Sequence, residues 1–231
     1  MPLLSDQDRQ ALQGQLAALT GPVTLLFFTR TVGAPETALV TRQILDEIVA
    51  LTDRVSVREV DVLREEARAA EFGISHVPTI ALLRGEDDAR IRFLGAPSGY
   101  EFVSLIQAIM LVGSDDSGLS AGSRDLLLRH VQSPMDIKVF STPTCPHCPR
   151  AATLACRMAL ESPHVTATCI EATECLDLSS EFRVSGVPMT VVNGRTEILG
   201  ALPEDDFVSG IVLPGAGSTR SDRLLYVLPE R

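Results

Sequence analysis

The stretch Ser141-Thr-Pro-Thr-Cys145-Pro-His-Cys148-Pro-Arg150 places two cysteines directly after the β-branched segment 137–141 and directly before a helical pattern. This context favours a redox pair. Unpaired N–H groups and the macrodipole at a helix N-terminus favour negative charge, so a thiol there can ionise at neutral pH. We predict that Cys145 is the nucleophile that attacks a disulfide. Cys148, about one turn on and more buried, would resolve the mixed disulfide.

The neighbouring histidine and the other cysteines bear on this hypothesis. His147, if protonated, would stabilise the thiolate further. A zinc site is one alternative, but it needs a second ligand pair, and Cys169 and Cys175 are six positions apart. Inert thiols are the other alternative. We expect Cys156 and Cys169 to pack in the core, whereas Cys175 could be a secondary thiol open to modification.

The cysteine motif lies in the second of two similar halves. Val77-Pro78 and Val187-Pro188 are 110 positions apart, and each precedes an apolar segment. Gly33-Ala-Pro-Glu36 stands where the second half has its cysteines, so the first half cannot perform dithiol exchange. The order of predicted strands and helices is the same in both halves. It predicts an α/β protein of two tandem units, each a central mixed sheet flanked by helices.

A short polar linker marks the boundary between the halves, at Gly113-Ser-Asp-Asp-Ser-Gly118. We expect a unit without the cysteine pair over residues 1–114 and a unit with it over 115–213. Residues 214–231, which begin with a Gly/Ser-rich stretch, are predicted to form a flexible tail.

Composition argues against several functions. The 231 residues carry 30 acidic side chains against 20 Lys and Arg, a net charge of −10, so nucleic acid is a poor partner. No apolar run reaches the roughly 18 residues needed to span a membrane. The polar N-terminus lacks the features of a signal peptide, so the predicted compartment is the cytoplasm.

Taken together, the motifs resemble the thioredoxin and glutaredoxin superfamily, and two such units in tandem resemble the protein disulfide oxidoreductases. The similarity is closer to the N-terminal domain of the flavoprotein subunit of alkyl hydroperoxide reductase. It is carried by Phe93-Leu-Gly-Ala-Pro-Ser-Gly-Tyr-Glu101-Phe-Val, Cys145-Pro-His-Cys148-Pro, Val187-Pro188 and Val192-Asn-Gly194. It extends over about residues 5–213, and it implies two thioredoxin-like units.

The resemblance also implies a function in peroxide detoxification and cell redox homeostasis. It implies a protein-disulfide oxidoreductase that binds no cofactor and works through a redox-active Cys145–Cys148 disulfide, with a cis bond before Pro188. Such domains pass electrons from a flavoprotein reductase to a peroxiredoxin. The printed sequence contains no Gly-x-Gly-x-x-Gly fingerprint. We therefore expect a separate thioredoxin reductase-like flavoprotein as donor and a disulfide-containing protein, such as a peroxiredoxin, as acceptor.

Glu101 lies in the family-like stretch of the unit that has no cysteines. If it is buried facing the cysteines of the other unit, a raised pKa would suit it to accept or return the proton of Cys148. The alternative is a solvated glutamate near a helix start, where the dipole favours acids.

Two further functions stay open. A Pro-His pair between the cysteines also occurs in strongly oxidising members of the superfamily, which form or isomerise disulfides. The absence of an export signal counts against that direction. The tandem fold could also be a non-catalytic interaction module that binds a peptide and whose cysteines sense oxidation.

Overall fold

The protein is an α/β structure of eight helices and ten strands, seen in a computed structural model that describes residues 3–114, 116–213 and the backbone of 226–227. The helices are α1 (Asp6–Leu16), α2 (Glu36–Val49), α3 (Glu66–Glu71), α4 (Tyr100–Val112), α5 (Ala121–His130), α6 (Cys148–Glu161), α7 (Leu176–Glu181) and α8 (Glu204–Val212). The strands are β1 (Val23–Thr29), β2 (Val55–Asp61), β3 (Thr79–Arg84), β4 (Asp87–Leu94), β5 (Met135–Ser141), β6 (Val165–Glu171), β7 (Gly186–Val187), β8 (Met189–Val192), β9 (Thr196–Leu199) and β10 (Tyr226–Val227).

The two units share one sheet. Its eight strands run in the order β2-β1-β3-β4-β6-β5-β8-β9. Each unit supplies a parallel pair followed by an antiparallel hairpin, β1/β2 with β3/β4 and β5/β6 with β8/β9. At the junction β4 pairs in parallel with β6, from Ile91 opposite Ala167 to Leu94 opposite Ile170. The predicted tandem architecture is therefore confirmed, but its two sheets are continuous, and the junction covers an edge of each unit.

The sheet separates one large core from two small ones. Neighbouring residues of a strand point to opposite faces, so Phe27 joins the large core while Phe28 joins a small core beneath α3. The large core is common to both units and includes Val139 of β5. The second small core surrounds Phe140 and contains the two motif cysteines. The candidate site thus lies on the sheet face opposite the shared core.

The helices begin and pack as the local sequence dictates. Ser5 and Ser120 cap α1 and α5, because each hydroxyl accepts a hydrogen bond from the backbone N–H three residues later. A hydrogen bond from Thr153 to Gln107 joins α6 of the second unit to α4 of the first. No helix in the described residues is long and apolar enough to cross a membrane.

The tail predicted from residue 214 falls mostly outside the described residues. Its described part is β10, which pairs antiparallel with β7 in a separate two-stranded sheet. Neither of these two short strands was predicted from the sequence.

Candidate redox site

The two motif cysteines form a disulfide, with their Cα atoms 5.6 Å apart. Cys148 is the first residue of α6, and His147 is the N-cap. The helix therefore begins later than the sequence suggested, and Cys145 lies in the preceding turn, where its N–H donates to the Thr142 carbonyl oxygen at 3.2 Å. Proline in the first turn of the helix is Pro149. The disulfide nevertheless holds the Cys145 sulfur beside the first helical residue, where unpaired N–H groups favour a thiolate.

Both cysteines are buried to the same degree. Cys145 and Cys148 have no exposed surface, whereas the motif predicts a nucleophile that is less buried than the resolving cysteine. They share a small apolar core with Phe140, Val187 and Met189. A partner disulfide therefore has no direct access to the sulfur of Cys145 in this arrangement.

The residues around the second Val-Pro bond lie against the cysteines. The Val187–Pro188 bond is cis, and so is the Val77–Pro78 bond of the first unit. Val187 ends β7, and Met189 begins β8, which pairs with β5 opposite Phe140. This register brings the backbone on both sides of Pro188 into the core of the cysteine pair.

The first unit has an equivalent loop without sulfur. Its helix α2 begins at Glu36, with Pro35 at the N-cap, just as α6 begins at Cys148. A carboxylate in the first turn of a helix is favourable. The loop is open, since Val32 is 77% exposed and Leu39 on α2 is 75% exposed. The same backbone feature therefore occurs twice, and only the second copy carries thiols.

A buried carboxyl group from the first unit reaches the strand that leads into Cys145. Glu101, in the first turn of α4, is 4% exposed. One of its oxygens accepts a hydrogen bond from Ser141 Oγ, at the end of β5, and Oε2 has no partner among the described residues. Burial raises the pKa of Glu101 well above its usual range against the lowering effect of the Ser141 hydrogen bond, and the charges of Glu171 and Glu174 add to the rise.

The structure places Glu101 beside the redox strand and not against the disulfide. The small cavity at Glu101 is lined by Ser141, Cys169 and Glu171 among others, but by neither motif cysteine. Proton transfer between Glu101 and Cys148 would therefore run through Ser141 or a water molecule. The sequence suggested the burial of this residue, and the structure identifies Ser141 as its partner.

The loop before α4 packs directly on the cysteine loop. The N–H of Tyr100 donates to the Pro143 carbonyl oxygen at 2.9 Å. Gly99 has a φ of +56°, and a Cβ there would collide with the same carbonyl oxygen of Pro143. The close approach therefore requires glycine. It fixes the first unit against the turn that carries Cys145.

Two further contacts join the units at this end of the sheet. The carboxylate of Glu174 accepts from the Ala96 N–H at 3.2 Å. His76 Nε2 lies 2.7 Å from an Asp177 oxygen, and this hydrogen bond holds the pKa of Asp177 below its usual range. The position of His76 before Val77-Pro78 predicts only a turn residue. Its role between the units could not be inferred without knowing that the units pack side by side.

The remaining cysteines are buried free thiols. The Cys156–Cys169 hydrogen bond, together with burial, raises the pKa of Cys169 well above its usual range. Burial, and then the charges of Glu174 and Glu171, raises the pKa of Cys175 to about 12. Cys169 and Cys175 therefore stay protonated at neutral pH, which disfavours modification of Cys175. Among the described residues no cluster of three or more His, Cys, Asp and Glu could hold a metal ion.

Fold and site define the class of the protein: a tandem thioredoxin-fold thiol–disulfide oxidoreductase. Residues 135–213 match the thioredoxin domain family Thioredoxin_3. The NTD_N/C domain of alkylhydroperoxide reductase AhpF from Enterococcus faecalis superposes with a TM-score of 0.83 at 28% identity, over 90% of this chain and 99% of that one. A protein disulfide oxidoreductase from Aeropyrum pernix K1 gives 0.82 at 26% identity, over 93% and 95%.

Within that class the chain is similar to AhpF, the alkyl hydroperoxide reductase component already met in the Enterococcus domain. The Escherichia coli (strain K12) protein is 24% identical over 209 residues, which are 90% of this chain and 37% of that protein. The Pseudomonas aeruginosa protein is 23% identical over 78% of this chain and 32% of its own length. The chain thus spans about a third of the length of these relatives. These matches confirm the resemblance inferred from the sequence.

Proposed function

We propose that the protein carries electrons by dithiol–disulfide exchange from a flavoprotein reductase of the thioredoxin reductase type to a disulfide in another protein, a peroxiredoxin. The observation that carries this proposal is the Cys145–Cys148 disulfide at the start of α6. The choice of donor and acceptor is supported by the name that the relatives share, alkyl hydroperoxide reductase.

The cycle begins when the donor reduces the pair. Two electrons and two protons convert the Cys145–Cys148 disulfide into two thiols. Cys145 loses its proton most readily, because the N-terminus of α6 stabilises a thiolate and a protonated His147 would add to this effect. The thiolate then attacks the acceptor disulfide. A bond forms between Cys145 and one acceptor sulfur, and the other sulfur leaves as a thiolate and takes up a proton.

Cys148 completes the exchange. Its thiolate attacks the Cys145 sulfur, the internal disulfide forms again, and the second acceptor sulfur leaves as a thiolate and is protonated. The acceptor disulfide has then gained two electrons and two protons. We assign Glu101 as the group that accepts the Cys148 proton through Ser141 or a water molecule, because a carboxyl group with a raised pKa is closer to the pKa of a thiol.

The backbone next to Pro188 is the proposed docking edge for the acceptor. Val187 lies in the apolar core of the cysteines. An extended segment can add to such an edge through main-chain hydrogen bonds. We propose that the acceptor disulfide enters along this edge, with Pro188 positioned against the cysteine pair.

The proposed organisation assigns this chemistry to residues 115–213 and a supporting role to residues 1–114. The first unit supplies Glu101 and the loop at Gly99, both of which face the cysteine turn. We propose the cytoplasm as the compartment, because a reducing environment keeps the thiols of Cys156, Cys169 and Cys175 free.

The opposite direction of electron flow is the second candidate function. It is favoured by the similarity to the Aeropyrum pernix protein disulfide oxidoreductase. The redox potential of the pair separates the two directions, since about −270 mV is typical of a reductant and about −120 mV of a strong oxidant.

Trapping tests the proposal directly. Cys148→Ser leaves the nucleophile but removes the resolving thiol, so we expect it to accumulate a mixed disulfide with a peroxiredoxin in a purified mixture. Cys175→Ala, a change in the same core outside the pair, should exchange normally and trap nothing. Absence of a Cys148→Ser adduct, together with no reduction of the peroxiredoxin by the native protein, would refute the proposal. Rapid exchange by an accumulated adduct without Cys148 would refute its resolving role.

A further inference from the structure

The chain's own tail lies along the proposed docking edge. Tyr226–Val227 pairs antiparallel with Gly186–Val187, so that Tyr226 is opposite Val187. Val187 precedes Pro188 and belongs to the small core that contains the cysteine pair. In the described part of the chain, β10 is the one strand that pairs with β7. The backbone groups that an incoming segment would use are therefore engaged by β10.

The sequence of the tail strand supports this pairing independently. Leu224-Leu-Tyr-Val-Leu228 is an uninterrupted apolar stretch with β-branched and aromatic residues, and Pro229 follows it. Such a stretch is typical of a strand, and proline ends it. It contains no cysteine. It can occupy the edge as a substrate strand would, but it cannot be reduced there.

The burial of the disulfide agrees with an occupied edge. Cys145 has no exposed surface, although exchange requires a sulfur of the partner to approach it in line with the bond that breaks. The cover must therefore open before exchange. β10 is the natural part to leave, because two residues of strand pairing are few compared with the seven-residue ladder between β5 and β6.

We propose that Tyr226–Val227 is a built-in competitor of the substrate, which holds the docking edge closed until an acceptor or donor strand displaces it. This inference rests on the proposed function for its biological meaning. It adds that access to Cys145 is set by competition between two strands for Val187. A partner with a strong β-strand beside its disulfide is favoured, and small disulfides without a strand are disfavoured.

The test compares Tyr226→Pro with Ser218→Pro in the full chain. Proline cannot donate to a strand ladder, so Tyr226→Pro removes the pairing, while Ser218→Pro makes the same change in the same tail away from the paired residues. Dithiothreitol then reduces the Cys145–Cys148 disulfide, and becomes oxidised to its own ring disulfide. We expect Tyr226→Pro to be reduced about tenfold faster than the native protein, as about 1.4 kcal/mol of lost pairing would give. Ser218→Pro should match the native protein.

Two further measurements keep the result unambiguous. Hydrogen exchange at the Gly186 and Val187 amides should be faster in Tyr226→Pro only. A synthetic peptide of residues 222–230, added to Tyr226→Pro, should slow dithiothreitol reduction again, and the same peptide with the proline should not. Equal reduction rates and equal amide exchange in the three proteins would overturn the inference. Faster reduction of Tyr226→Pro by dithiothreitol, with no reduction of any protein disulfide by either protein, would support this inference and refute the proposed function.

Discussion

The loops at the starts of α2 and α6 occupy the same place in two copies of one fold, yet they differ in exposure and chemistry. Gly33-Ala-Pro-Glu36 is open to solvent around Val32, whereas Cys145 and Cys148 have no exposed surface. The helix start that stabilises a thiolate is thus present twice, and the sulfur only once. The first unit contributes to the site through the other end of its chain, where Glu101 and Gly99 meet the cysteine turn.

The largest effect should come from the nucleophile. Cys145→Ser should lower insulin disulfide reduction by at least about 1000-fold, since hydroxyl cannot replace thiolate in the exchange. Glu36→Gln changes the corresponding helix start of the first unit and should leave the rate unchanged. A rate close to that of the native protein in Cys145→Ser would contradict the assigned chemistry, and a large loss in Glu36→Gln would show that the first loop takes part in it.

The next effect concerns the buried carboxyl group. Glu101→Gln should slow the release of the mixed disulfide by on the order of 100-fold, as expected for loss of a general base, while attack by Cys145 stays fast. Asp206→Asn is the matched control, because the exposed Asp206 holds the equivalent helix position in the second unit. Stopped-flow detection of the mixed disulfide separates the two steps. Equal slowing of both steps would indicate a merely structural role.

The same variant should change the pH dependence of stability. Because burial raises the pKa of Glu101 in the folded state, folded protein keeps a proton that the unfolded chain loses above about pH 4.3. Stability of the native protein should therefore fall as pH rises from there towards the raised pKa, with a contribution of up to about 1.4 kcal/mol per pH unit. Urea titrations of Glu101→Gln should lack this contribution. Identical slopes in both proteins would contradict the raised pKa.

The close approach of the units predicts a smaller, purely structural effect. Gly99→Ala should destabilise the protein by about 1–3 kcal/mol, since it adds a collision with Pro143 to the cost of a positive φ. Gly33→Ala also has a positive φ but meets nothing within 4 Å, so it should cost about 1 kcal/mol. Urea midpoints check the difference. Equal costs would mean that the two loops are equally free.

The smallest effect should come from the exposed contact between the units. His76→Ala removes the hydrogen bond to Asp177, but Asp177 is largely exposed, and such pairs contribute little. We expect a urea midpoint within experimental error of the native value. A loss as large as that of Gly99→Ala would show that this contact, and not the loop at Gly99, holds the units in place.

Local features could be predicted from the sequence, and contacts between distant parts could not. The alternation of β1 and β2 and the spacing of Cys145 and Cys148 depend on neighbouring residues, and both agree with the structure. The pairing of β4 with β6 depends on how two folded units dock, so no local pattern reports it. The start of α6 was misplaced because Pro146 and Pro149 both suit a first helical turn. β10 was missed because the Gly/Ser-rich stretch before it dominated the interpretation of the tail.

The ladder between β4 and β6 limits how the protein can travel between its partners. Two domains on a tether can swing independently, but here any rotation of one unit against the other would tear backbone hydrogen bonds along four consecutive residue pairs. A carrier that shows a single sulfur pair first to a reductase and then to an oxidised client must therefore reorient as a rigid block. Its shuttling speed is then set by tumbling and by whatever attaches the block to its surroundings, and not by internal hinge bending between the units.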